Sequence, residues 1–170
     1  MLALIVIAIG CSGDDSKPRA KATTSVSTAR VAAAKKVTME ISFDAPTLLA
    51  PACDAAGACV YPLSRTTTSV TGSLTGKTVS AGAGAPKKSG GSSGVDFHVF
   101  TGRVNGCGSG TVVWSEVMAT DNDGNVSGTW TISKGTGTAG LASVSGSGTF
   151  TGKTDPDSSG TLTAKGTVRC

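Results

Sequence analysis

Glutamate is almost missing from this chain. Only Glu40 and Glu116 occur among 170 residues, and leucine is sparse. Long helices therefore lack their usual material. There is one histidine, His98, and no Cys-x-x-Cys pair. A zinc-type site is not expected on that basis, and no metal or cofactor is expected at all. The folded part has no cluster of basic and aromatic residues, which argues against nucleic acid as a partner. What is abundant is Gly, Thr, Ser, Ala and Val. Thr and Val suit pleated, half-buried strands, and glycine supplies the turns. The length fits one ordinary domain. The expected class is all-β.

Residues 1–10, MLALIVIAIG, form an uncharged apolar run. A helix needs about 20 such residues to cross a bilayer, so this run reads as a signal-peptide core. It ends in Ala8, Ile9, Gly10 and Cys11. That ending resembles the lipobox of bacterial lipoproteins, where a signal peptidase cuts before a cysteine that becomes diacylated. The resemblance implies lipidation of Cys11, a membrane anchor through that lipid, and an exported location at the bacterial cell envelope. Ala8 stands where Leu is usual. No Lys or Arg precedes the run, so the true start is expected upstream of Met1.

Residues 11–36 follow as a flexible tether. They are polar, low in complexity and without an aromatic residue, too poor in apolar surface to offset the entropy of ordering. The tether holds six basic residues (Lys17, Arg19, Lys21, Arg30, Lys35, Lys36) against Asp14 and Asp15, which matches the net charge of +4 of the whole chain. The rest is balanced, so the basic character belongs to the tether. Basic residues near an anionic surface gain ~1 kcal/mol each. A solvated linker without a partner accounts for the charge equally simply and is the preferred reading.

Residues 37–170 are expected to form the domain. Val37, Met39, Ile41 and Phe43 alternate with Thr38, Glu40 and Ser42, a period of two with one buried face. A long loop is expected over 44–64, strands over 65–75 and 77–83, and a flexible loop over 84–94. The pattern over 95–105 slips in phase. Val95, Phe97 and Val99 share one face, and the apolar set then shifts to Phe100 and Val104. A bulge or a bend is expected there. Val112, Trp114 and Met118 share one side of the next strand, and Val126, Trp130 and Ile132 share one side of its successor, across the turn 121–125. Strands over 146–151 and 161–170, joined through Asp155, Pro156 and Asp157, complete about eight. That number can close a single antiparallel β-barrel and remove its exposed edges.

VTGSLTG at 70–76, FTGRVNG at 100–106 and GTFTG at 148–152 form a faint repeat. Recurrent glycines inside strands point to bends. The run 126–150, with GTWTI, GTG, AGL and GSGTF, resembles a bacterial family of uncharacterised proteins built on the allene oxide cyclase-like β-barrel. FTGRVNGCGSGTVVW at 100–114 is similar to the central hairpin of that family. The likeness covers roughly the last hundred residues and implies the barrel fold. This chain departs from the pattern in a long cysteine-bearing loop and in Thr138, where relatives carry an aromatic. Plant cyclases and dirigent proteins are distant cousins of the family. None of their catalytic residues falls on a matching motif here, so none is carried over.

With Cys11 assigned to lipid, Cys53, Cys59, Cys107 and Cys170 remain. An even number in an exported domain implies two disulfides, with three pairings open. Cys53 with Cys59 closes a short loop containing glycine and is favoured. Cys107 is then left for Cys170.

Several motifs lead to plain readings. GSLTGKT at 72–78 and GTFTGKT at 148–154 have three residues between the glycines, where a phosphate loop needs four. A strand end with a lysine in its turn is expected at each. GGSSG at 90–94 lacks the strand-to-helix setting of a nucleophile elbow. Asp121, Asp123 and Asn125 lack the spacing of a calcium loop and read as a hairpin turn. His98 alternates with Asp96 and Phe100. The expected arrangement is an exposed polar face, with Val95, Phe97 and Val99 buried. A cavity on that face would make His98, Asp96, Trp114, Glu116 and Trp130 the ligand-binding residues.

Three functions follow. The first is a tethered binding module for a small apolar ligand or a surface partner. The second is a structural envelope protein without a ligand. The third is a cyclase-like enzyme, disfavoured by the few titratable residues. The first is preferred, as a monomer or small homo-oligomer.

Overall fold

The computed structural model describes residues 33–47 and 50–170, with the backbone alone at 61–65. The expected signal peptide, Cys11 and the tether as far as residue 32 lie outside the described residues.

Among the described residues nine strands follow in order: β1 (Lys35–Phe43), β2 (Ala52–Cys53), β3 (Cys59–Gly72), β4 (Leu74–Pro86), β5 (Ser92–Val104), β6 (Gly108–Thr120), β7 (Asn125–Ile132), β8 (Ser145–Thr154) and β9 (Gly160–Arg169). A 3-10 turn, Ala139–Leu141, lies between β7 and β8. From β3 to β9 each strand pairs antiparallel with the next. β1 pairs with β9 from Lys35↔Val168 to Phe43↔Gly160, and with β3 from Met39↔Gly72 to Phe43↔Thr68. This double pairing closes an eight-stranded antiparallel barrel, with β2 as a short ladder outside the ring. The described residues are all-β, as the composition implies.

Strand alternation decides what fills the interior. On β5 the burial pattern alternates without a break from Val95 to Phe100, and both neighbouring strands keep continuous register with it. The bulge expected over 95–105 is absent. The phase is also the reverse of the expected one. Asp96, His98 and Phe100 face inward, while Val95, Phe97 and Val99 face outward at 44%, 58% and 49% exposure. Phe100 and Val104 fix this phase by burying fully.

The expected loop over 44–64 is partly strand. Cys53 pairs with Cys59 and Ala52 with Val60 in a ladder that carries the Cys53–Cys59 disulfide. Asp54 closes it by accepting the Ala56 and Ala58 N–H groups at 2.9 Å each. The expected loop over 84–94 shrinks as well, because β4 runs to Pro86 and β5 starts at Ser92.

The repeated glycines have a packing role. Gly72 is the turn residue, at φ +104° between β3 and β4. Gly76 and Gly102 are not turn residues. A methyl group on them would sit 3.0 and 2.6 Å from the Phe100 ring. Gly148 and Gly166 flank Trp130 in the same way, at 2.7 and 2.6 Å. Inward glycines thus make room for large rings in a narrow barrel.

Those rings fill one half of the barrel. Phe100 stacks on Trp114 with centroids 5.6 Å apart, an arrangement worth about 0.5–1.5 kcal/mol beyond the area it buries. Trp130, Phe150, Leu74 and Val104 complete the packing, and Leu141 and Val144 from the β7–β8 connection join the same core. The Cys107–Cys170 disulfide ties the β5–β6 hairpin to the chain end, across 63 residues.

Candidate functional site

The other half of the barrel is not filled. A cavity of about 280 Å³ lies toward the end formed by the β4–β5, β6–β7 and β8–β9 hairpins. Eight strands enclose space for packed side chains or for one small ligand. Here side chains pack one half, and the other half keeps the cavity. Ile41, Phe43, Met118, Val126 and Leu162 give the cavity an apolar wall. Ser92 and Ser158 stand on its exposed rim.

Its inner end is polar. Asp96, His98 and Glu116 line it and are 7%, 5% and 3% exposed. Register explains the cluster. Asp96 and Glu116 are direct partners across β5 and β6, and His98 sits two residues farther along β5 on the same face. Gly82 is the partner of Asp96 on β4, and a methyl group there would meet Asp96 Oδ1 at 2.9 Å. His98 Nε2 lies 3.3 Å from Glu116 Oε2 and 3.5 Å from Asp96 Oδ2. It is within ion-pair distance of both but aligned for a hydrogen bond with neither. His98 Nδ1 is 3.0 Å from the Thr78 hydroxyl oxygen.

Burial pushes the Asp96 carboxyl above its ordinary range. The charge of His98, the Ser80 hydroxyl and the Phe97 N–H oppose that rise, while Glu116 adds to it. Glu116 Oε1 and Thr68 Oγ1 are buried and have no hydrogen-bond partner among the described residues. Among those residues, no group of His, Cys, Asp and Glu is arranged to hold a metal ion.

Of the five ligand-binding candidates, the fold brings Asp96, His98 and Glu116 to the cavity. Trp114 stands beneath it, its ring 5.3 Å from the His98 ring. Trp130 belongs to the packed half, between Gly148 and Gly166. Thr68, Thr78 and Ser80 complete the polar end and were not among the candidates. They are the inward positions of β3 and β4, so correct strand phase was the signal that could have found them.

The other motifs hold no phosphate loop, elbow or calcium loop. Lys77 and Lys153, expected in turns, are instead exposed residues paired within β4 and β8, with no helix after them. Residues 90–94 form the end of a turn and the start of β5. Asp121 accepts the N–H groups of Asp123 and Asn125 at 2.9 Å and the Asn125 side-chain amide at 2.8 Å, as a hairpin turn does.

No family model and no curated sequence matches this chain.

Proposed function

We propose that this chain is an exported, lipid-anchored binding module that holds one small amphipathic ligand in the unfilled half of its barrel. The observation that carries the reading is the cavity itself. Protein interiors pack densely, and the other half of this barrel does so with six or more large side chains. An engineered apolar cavity of ~150 Å³ admits benzene. The volume here is about 280 Å³, room for roughly ten to twelve non-hydrogen atoms on the same scale. Export is supported by the two disulfides, which persist in oxidising compartments. The lipobox-like ending at Cys11 supports the anchor.

A filling substitution tests the reading. Ser80 lines the cavity, and Ser80→Phe should occupy it. Full-length protein purified from its host should carry a small molecule in the wild type and lose it in the variant. Wild-type protein free of any bound molecule would count for a structural envelope role.

One observation favours a second reading, an enzyme. Three titratable side chains meet in the cavity, and acid–base chemistry uses such clusters. Turnover of the recovered ligand by wild type, abolished in Glu116→Gln, would establish it. Recovery of the ligand unchanged would reject it.

A further inference from the structure

We infer that the ligand presents a protonated amine to the polar end of the cavity and a short apolar body to its wall. This rests on the binding reading above and adds the chemical class of the ligand.

The first support is an unpartnered carboxylate oxygen. Glu116 Oε1 is buried at the cavity without a hydrogen-bond partner among the described residues, and so is the Thr68 hydroxyl, which can accept as well as donate. A buried acceptor without a donor is costly, and an ammonium group brings three donors. The second support is charge. Two carboxylates and one imidazole line the cavity, and no described lining residue is Lys or Arg. A carboxylate buried without a countercharge is expensive, and a cation entering with the ligand supplies one. The same arrangement repels a carboxylate head, so a fatty-acid-like ligand is the wrong class. The third support is the wall, where Ile41, Phe43, Met118, Val126 and Leu162 offer only apolar contact. A polyamine without an apolar body would leave that wall unused.

Three probes of one body and different heads separate these terms: 2-phenylethylamine, 2-phenylethanol and 3-phenylpropionate. Calorimetric titration would use the full chain in mild detergent. The amine should bind roughly ten- to a hundredfold tighter than the alcohol, the range for hydrogen bonds to a charged group. The carboxylate should bind weakest. Glu116→Gln should weaken the amine far more than the alcohol and bring the two close together. Asp96→Asn is the second variant, and thermal melting of each confirms folding. An alcohol or carboxylate that binds as tightly as the amine overturns the inference and leaves the binding reading standing. So does an amine preference that survives both substitutions. If none of the probes binds and the host-purified protein is free of ligand, the inference and the binding reading both fall.

Discussion

Asp96 and Glu116 face each other across β5 and β6 on the inner wall of the barrel, and the His98 ring stands within ion-pair distance of both. Like charges directly opposite on a sheet are destabilising.

Asp96 should set a pH signature. Its carboxyl is raised above the ordinary value of 3.8, chiefly by burial, with Glu116 adding to it and His98 and Ser80 opposing. The folded state thus binds this proton more tightly than the unfolded state. The associated stability is complete below pH 3.8 and is lost as pH rises through the folded-state value. Asp96→Asn removes the dependence, and its amide oxygen can still accept the Phe97 N–H. Denaturant titrations should show the variant gaining on wild type as pH rises from 3.8, with a slope of at most about 1.4 kcal/mol per unit. Asp121 has the opposite sign, because Asn125 holds it low, but it is common to both proteins and cancels. A difference that is flat with pH would remove the case for a strained Asp96.

Thr68 should trade stability for binding. Its hydroxyl is buried without a partner among the described residues. Thr68→Val keeps the shape and removes the unsatisfied oxygen, so the ligand-free protein should gain about 1 kcal/mol. The same change should weaken the amine probe. A loss of stability would mean that the hydroxyl is satisfied in the empty barrel.

The sequence carried the fold further than the site. Alternation placed Trp114, Trp130, Phe43 and Met39 on inner faces, and eight strands closed as expected. It failed on β5, because burial there does not follow hydropathy. On β5 beside the cavity the inward residues are polar and the outward ones apolar, so Val95, Phe97 and Val99 imitate a core face while Asp96 and His98 imitate a solvent face. Only Phe100 and Val104, deeper in the packed half, carry the true phase. Gly76 misled for a related reason. It looks like a turn residue, yet it is a space left for Phe100, and the turn is at Gly72.

Those spaces can be tested directly. Gly166→Ala should cost about 1–3 kcal/mol, the usual penalty for overpacking, because the methyl group would meet Trp130 at 2.6 Å and the Ser147 carbonyl oxygen. Gly84→Ala is the control, since its nearest neighbour lies at 3.4 Å. It should be neutral or mildly stabilising. Equal losses at both sites would refute the packing role in thermal denaturation.

The two disulfides should differ in value. Cys107–Cys170 spans 63 residues and Cys53–Cys59 spans 6. Chain entropy then gives about 4.3 and about 2.4 kcal/mol as their contributions. The first also fixes the last strand to the β5–β6 hairpin, whereas the second sits on a ladder outside the ring. Paired serine substitutions at 107 and 170 should lower the unfolding midpoint more than those at 53 and 59. The reverse order would show that the 44–64 segment matters more to the barrel than its place suggests.

The most direct test of the account is a native mass spectrum of the full chain, extracted from its host in mild detergent. The prediction is a protein short by the hydrogens of two disulfides, lipid on Cys11, and one further noncovalent mass of a small molecule containing a basic nitrogen. A protein with no mass beyond its own covalent composition would contradict the claim that the open half of the barrel holds a ligand.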